Sequence, residues 1–162
     1  MTDDPKKVTG KPKLLKYMST TREITHFPYL YTWGYQSRTV AELEEILRKY
    51  NIARVIDVRI KPWSKYQPEF RKDHLEIFPW YEHRGTLGNN HNSLPWLKGP
   101  HWHGGVKAVA NLLKLHSVLL MCLERNPEMC HRKEVADAIF HEVPCQIMHL
   151  GFVKPSEQLN LL

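Results

Sequence analysis

The chain has 162 residues, 42% of them hydrophobic, and 23 lysines and arginines against 17 acidic residues give a formal charge of +6. A chain of this length is most simply one domain and can bury about 70% of the surface that its unfolded form exposes. No apolar run approaches the roughly 20 residues of a membrane helix, so we expect no membrane partner. A basic chain favours phosphate-bearing partners, and a nucleotide or nucleic acid is therefore expected.

The start of the chain and its cysteines indicate a cytoplasmic protein. Residues 1–16 are polar and rich in lysine, without the apolar core of a secretory signal. We expect residues 1–22 to be a basic, disordered tail and residues 23–162 to form a single α/β domain. The three cysteines are an odd number, and their spacing is no disulfide framework, which predicts a reducing compartment.

The first half of the domain alternates strand and helix. An aromatic-rich strand is predicted at 29–33, followed by a turn. Thr39 with Glu42 three residues later fits a capping box, and the helix after it keeps one apolar stripe as far as residue 50. A second strand follows at 54–58. This order is typical of a βαβ unit.

The middle of the chain is less regular. Residues 59–70 form a long loop, 72–78 can hold one or two helical turns, and 80–83 is a short strand candidate. An irregular stretch at 84–103 precedes a helix marked by apolar residues from 106 to 113. Loops as long as these in a compact domain are usually functional or mobile.

The rest of the chain is organised around a buried strand and the loop after it. Val118–Met121 is an unbroken apolar run, Cys122 closes it, and a helical pattern opens at residues 130–132, Cys-His-Arg. A helix N-terminus favours anions and thiolates, so this junction is a candidate anion site. A last strand is predicted at 146–150.

This alternation predicts a mostly parallel sheet with helices on both faces, a three-layer α/β fold of the Rossmann-like or rhodanese-like kind. Ligands of such sheets bind at the carboxyl ends of the strands. That rule brings residues from three separate segments to one edge: Gly34, Ser37, Arg38, Asp57, Arg59, Cys122 and Glu124.

Each of these cysteines has more than one interpretation. Cys122 is either a nucleophile activated by its position or a small packing residue. Cys130 with His131 is a thiolate and its base, a pair of metal ligands or a packed helix start. There is no Cys-x2-Cys, and a fourth ligand would have to be His149 or a loop histidine, so we expect neither a metal nor another cofactor.

The arginines also have two interpretations. Arg59 and Arg132 can clamp a phosphate or carboxylate, or they can form internal ion pairs with Asp57 or Glu124. Asp57 lies inside an apolar strand and needs a partner, so we interpret it as an organiser and Arg59 as the ligand contact. Gly34, Ser37 and Arg38 belong to a turn that can cradle an anion.

Aromatic and basic residues alternate in the irregular stretch. Its histidines and tryptophans either stack on nucleic-acid bases or fold over one another as a surface loop. The residues in question are His91, Trp96, His101, Trp102 and His103.

Several ordered motifs are similar to those of the domain of unknown function 488 family. Residues 32–39, Thr-Trp-Gly-Tyr-Gln-Ser-Arg-Thr, resemble its Thr-Ile-Gly-His-Ser-x-Arg opening, and residues 55–59 resemble its Val-Asp-Val-Arg segment. Leu-Gly-Asn at 87–89 and His-Leu-Gly at 149–151 also resemble family elements. Residues 122–132 match its Cys-x-Glu followed by Cys-His-Arg.

The resemblance covers residues 31–151 and implies an α/β fold, but no settled chemistry. It places the site around residues 122–132, which we call the cysteine loop. Tyr35 stands where the family usually has His, and Arg71 stands near its usual Asn. A weaker resemblance to rhodanese-like domains implies sulfur transfer. The spacing from Cys122 to Arg132 is longer than the Cys-x5-Arg of such loops, which argues against that reaction.

The expected function is that of an enzyme acting on a phosphate-bearing substrate, nucleotide or nucleic acid. Non-catalytic nucleic-acid binding and rhodanese-like sulfur transfer are the alternatives. In the enzyme, Arg59 and Arg132 bind the anion, and Cys122 or Cys130 supplies a thiol. Glu124 or His131 transfers protons.

Overall fold

The computed structural model describes residues 27–89 and 98–152. Their five strands form one parallel sheet, and four α-helices accompany it. The strands are β1 (Tyr29–Gly34), β2 (Arg54–Asp57), β3 (Tyr81–His83), β4 (Val118–Cys122) and β5 (Gln146–His149), and the helices are α1 (Val40–Lys49), α2 (Lys72–Leu75), α3 (Trp102–Leu113) and α4 (Arg132–Glu142). The strand order is β3-β2-β4-β1-β5.

The central strand β4 separates two hydrophobic cores. All five of its residues are buried, because helices cover the sheet on both faces. Leu119 and Met121 point into the core shared with α1, whereas Leu120 and Cys122 point into the core shared with α3 and α4. The three-layer α/β architecture predicted from the sequence is confirmed.

The capping box at the start of α1 is confirmed. The Glu42 N–H donates to Thr39 Oγ1 at 3.2 Å, and the Thr39 N–H donates to Glu42 Oε2 at 2.6 Å. Such a cap stabilises a helix by about 1 kcal/mol. The chain leaves α1 through Asn51, whose φ of 51° is left-handed, so the predicted end of this helix is also correct.

Most strand boundaries differ from the prediction by one residue, and two helices begin at residues other than those expected. Strand β2 ends at Asp57, α4 begins at Arg132 rather than at residue 130, and α3 begins at Trp102 rather than near residue 106. Two glycines in the first turn of α3 made this segment resemble a loop. A Cβ on Gly105 would lie 2.8 Å from Thr86 Oγ1, so glycine lets α3 pack closely on the turn before it.

Some sequence predictions cannot be placed on the fold. The basic tail at 1–22 and two loop residues, His91 and Trp96, lie outside the described residues. Within the described ranges, no helix is long and apolar enough to cross a membrane.

Candidate functional site

The loops after β1 and β4 are joined at the carboxyl edge of the sheet. Gly34 pairs with Cys122 in the parallel register, and the Tyr35 and Gln36 N–H groups donate to the carbonyls of Cys122 and Leu123 at 3.0 and 2.9 Å. This close approach requires glycine, because a Cβ on Gly34 would lie 1.8 Å from the Glu124 carbonyl oxygen. Gly34 therefore positions the cysteine loop.

A cluster of chemically active side chains, Cys122, Glu124, Cys130 and His131, lies beside this junction; we call it the thiol cluster. The Cys122 sulfur lies 3.6 Å from Glu124 Oε2 and 3.9 Å from His131 Nδ1. The two sulfurs and one nitrogen of the His131 ring all lie within 4.8 Å of one another. All four residues that the sequence predicted as catalytic therefore meet at one place.

The orientation of the His131 ring follows from one hydrogen bond. Its Nε2 lies 3.0 Å from the Val58 carbonyl oxygen, which can only accept, so Nε2 carries a hydrogen. The other nitrogen, Nδ1, is left to face the sulfurs. The Val58 carbonyl, directly after β2, thus orients the ring so that Nδ1 is the imidazole atom in the cluster.

The surroundings shift the pKa values of the two thiols of the cluster in opposite directions. The hydrogen bond from Cys122, together with smaller effects of His131 and the Arg132 cation, lowers the pKa of Cys130 to about 3 against the effect of burial. The same hydrogen bond to Cys130, together with burial, raises the pKa of Cys122. Cys130 is therefore the thiolate and Cys122 the thiol that donates to it.

Glu124 and His131 respond to this thiolate. Burial, followed by the negative charge on Cys130, raises the pKa of Glu124 above that of an ordinary carboxyl. Burial lowers the pKa of His131, but the hydrogen bond and charge of Cys130 outweigh it, so the net pKa is raised. Cys145 lies outside the cluster, and burial alone raises the pKa of its thiol.

Arg59 is held in a buried ion pair. Its Nη2 lies 2.6 Å from Asp57 Oδ2, and its Nε donates to Asp57 Oδ1 at 2.8 Å. Its other bonds go to Tyr35 Oη at 3.0 Å and the Phe70 carbonyl at 2.7 Å. Tyr81 Oη also donates to Asp57, at 2.7 Å. Of the two roles left open by the sequence, this is the geometry of the internal ion pair.

Arg132 is fully buried and holds the cysteine loop from within. Its guanidinium donates to the carbonyls of Glu124 and Arg125, the latter at 2.9 Å, and to Thr32 Oγ1 at 3.3 Å. Thr32 Oγ1 also lies 2.7 Å from His149 Nδ1. These bonds fix the backbone of the loop that presents Glu124 to the thiol cluster.

Arg38 lines a separate cavity of about 450 Å³ at the same edge, which we call the arginine cavity. Its guanidinium lies over the Trp33 ring and donates to the carbonyls of Gly34 and Gly151 at 3.2 and 2.6 Å. Burial, and then the charge of Arg125, lowers the pKa of Arg38. The remaining lining residues include both acidic and basic side chains: Glu42, Glu45, Ile46, Lys49, Tyr50, Arg125 and Leu150.

The sequence did not point to Gln67 as part of this edge. Its Nε2 donates to the carbonyls of Tyr35 and Arg38 at 3.1 and 2.7 Å, and its Oε1 accepts from the Ser37 N–H at 3.2 Å. Ser37 is exposed, with a left-handed φ of 55°. No local pattern indicates a contact across 30 residues, so only the fold shows that Gln67 supports the turn.

Comparison with known proteins identifies a family. The family model described as Domain of unknown function DUF488 matches residues 39–139, more than half of the chain. The match includes β2, β4 and the thiol cluster. Searches of curated proteins and of solved structures gave no significant match.

Proposed function

The chain belongs to the DUF488 family, and we propose that it is an enzyme acting on a phosphate-bearing substrate, a nucleotide or nucleic acid, with the thiol cluster as its reaction centre. One observation carries this proposal. The Cys122 sulfur lies 3.6 Å from the Glu124 carboxyl and 3.9 Å from the His131 imidazole, at the carboxyl ends of the strands, where α/β folds bind ligands.

The members of the cluster have different roles in this proposal. Cys130 supplies an electron pair, because its thiolate is stabilised by the Cys122 thiol and by the Arg132 N–H. Glu124 transfers protons to and from the substrate, since its carboxyl lies 3.6 Å from the Cys122 sulfur and is only half-buried. His131 balances the charge of the thiolate.

A phosphate group of the substrate that does not itself react has a candidate site in the arginine cavity, which no member of the thiol cluster lines. Arg38 and Arg125 both line it, and neither forms a salt bridge with the acidic residues there among those the structure describes. A guanidinium pair of like charge favours an anion between its members. Arg59 and Arg132 donate from all three guanidinium nitrogens to protein groups, whereas Arg38 does so from two and Arg125 is exposed. Arg59 and Arg132 shape the walls of the site in this proposal.

A hydrolysis assay tests the proposal. Purified protein is incubated with phosphomonoesters, nucleotides and single-stranded oligonucleotides, and released phosphate and shortened products are measured. Cys130→Ser and Glu124→Gln should each remove the activity, whereas Cys145→Ser, which changes a buried thiol outside the cluster, should retain it. Arg125→Ala should raise KM with little effect on kcat. Turnover that survives Cys130→Ser would refute the assigned centre.

Non-catalytic nucleic-acid binding is a second candidate, favoured by an exposed aromatic segment. Trp63 is 60% and Tyr66 88% exposed, with Arg71 and Lys65 over their respective rings. Exposed rings beside cations suit stacked bases. Trp102, in contrast, is buried in the core, so its ring cannot stack on a base.

Fluorescence anisotropy of a labelled single strand separates the two candidates. In the binding candidate, Trp63→Ala and Tyr66→Ala each weaken binding by about 1–3 kcal/mol, and affinity falls steeply with salt. Ile77→Ala, which changes an exposed apolar residue in a different segment, is the control. Sulfur transfer is tested in a separate assay, with thiosulfate and cyanide as substrates and thiocyanate as the measured product.

A further inference from the structure

From the geometry of the thiol cluster we infer that Cys122, Cys130 and His131 bind one Zn²⁺ ion, with its fourth coordination position directed toward Glu124. The sequence alone argued against zinc because its cysteines lack the Cys-x2-Cys spacing of familiar zinc sites. The fold supplies what the spacing lacks: a strand end provides one ligand and a helix start provides two.

The distances between the donor atoms suit a single zinc ion. At a Zn–S distance of about 2.3 Å and a Zn–N distance of about 2.1 Å, two tetrahedral ligand atoms are roughly 3.6–3.8 Å apart. The Cys122 sulfur lies 3.9 Å from His131 Nδ1, and all three donor atoms lie within 4.8 Å of one another. Shifts of a few tenths of an ångström to about one ångström bring them into position.

The surroundings of His131 are those of a metal ligand. Its Nε2 hydrogen is donated to the Val58 carbonyl, so that the neutral ring of the metal-bound form has its lone pair on Nδ1, the atom that lies 3.9 Å from the Cys122 sulfur. Ligand histidines in metalloproteins characteristically donate their second ring N–H to a carbonyl or carboxylate.

The donor set selects the metal. Two thiolates and one imidazole are soft ligands that favour zinc over magnesium or calcium. Three protein ligands with one open position are the arrangement of catalytic zinc, whereas structural zinc sites have four. Glu124 Oε2 lies 3.6 Å from the Cys122 sulfur, where it can accept a proton from a water at the open position.

Metal binding and metal-dependent activity are separate properties of this site. Zinc binds both cysteines as thiolates and His131 as a neutral imidazole. Cys130 is already deprotonated, so the protons of the Cys122 thiol and of His131 Nδ1 pass to the solvent. Use of the metal to activate water rests on the proposed function, since it requires a substrate at the same edge. The occupation of the site does not, because it depends only on the three ligands.

Metal analysis of the full-length protein tests the inference. Protein purified without chelator should contain zinc in a one-to-one ratio by inductively coupled plasma mass spectrometry. After zinc removal, titration with Co²⁺ should give thiolate-to-cobalt charge-transfer absorption that saturates at one equivalent. Cys122→Ser, Cys130→Ser and His131→Ala should lose stoichiometric binding, and Cys145→Ser should keep it.

A second measurement on the unmodified sequence covers the case of a variant that does not fold. Zinc should protect Cys122 and Cys130 from alkylation, read by peptide mass spectrometry, and leave Cys145 unaffected. No zinc on purification and no cobalt absorption would overturn the inference, as would loss of binding in Cys145→Ser alone. Stoichiometric zinc without phosphate-ester turnover would refute the proposed function and leave the metal site standing.

Discussion

Gly34 and Glu124 are in contact across the carboxyl edge of the sheet, so close that a Cβ on Gly34 would lie 1.8 Å from the Glu124 carbonyl oxygen. Gly34→Ala should therefore push the cysteine loop away from β1 and lower both activity and stability. Overpacking of this kind costs about 1–3 kcal/mol. Urea unfolding monitored by tryptophan fluorescence measures the stability, and the phosphate-release assay measures the activity.

The matched control is Gly104→Ala. Gly104 lies in α3, and a Cβ there would meet nothing within 4 Å. Alanine in a helix is about 0.5–1 kcal/mol more favourable than glycine, so this variant should be slightly more stable and equally active. Equal effects of the two substitutions would show that the contact between Gly34 and the loop has no special role.

The ion pair between Asp57 and Arg59 should be a major contributor to stability. Asp57→Asn keeps the shape of the side chain but leaves a buried cation without its counter-charge, which costs about 3–5 kcal/mol. Glu76→Gln breaks an exposed pair with Lys72 and should cost less than about 1 kcal/mol. Chemical denaturation of both variants makes the comparison.

This prediction also decides between the two roles of Arg59. If Asp57→Asn leaves the free energy of unfolding unchanged but abolishes binding of a phosphate ligand, the arginine is an anion contact, as the sequence interpretation favoured. Loss of stability with retained affinity in the remaining folded protein supports the structural role.

Arg132 should not be replaceable by lysine. The planar guanidinium reaches two loop carbonyls and Thr32 Oγ1 at once, which a single ammonium group cannot do. Arg132→Lys should leave at least one buried carbonyl unsatisfied, at about 1–3 kcal/mol, and reduce activity by loosening the loop at Glu124. Lys133→Arg, one residue further on and partly exposed, should change neither. An active, fully stable Arg132→Lys variant would contradict this.

Residue patterns predicted the layers of the fold and the composition of the thiol cluster for physical reasons. Apolar periodicity reports burial, and the parallel strand arrangement carries Cys122 to the same edge as the helix start at Cys130. The partners of the arginines were not predictable. Arg59 bonds to Tyr35 and Phe70, 24 and 11 residues away, and neither contact leaves a local pattern. Periodicity gives the direction of a side chain, but not its partner.

The thiolate state of Cys130 should appear in the pH dependence of alkylation. In metal-free protein, its pKa of about 3 means that it is deprotonated throughout the neutral range. Its rate with iodoacetamide should therefore be flat between about pH 5 and pH 8, where an ordinary thiol with a pKa near 8.5 becomes tenfold more reactive per unit. Burial slows the absolute rate, so the slope is the informative quantity.

Cys145 is the internal control for that slope. It is buried to the same extent as Cys130, each with 6% of its surface exposed, but burial only raises its pKa. Its alkylation should therefore rise with pH across the whole range. Because access is matched, a difference in slope between the two residues reports ionisation rather than exposure. If Cys130 shows the slope of Cys145, the hydrogen bond from Cys122 does not stabilise a thiolate. The cluster would then have no activated nucleophile at neutral pH, and the metal would be the remaining means of deprotonating Cys130.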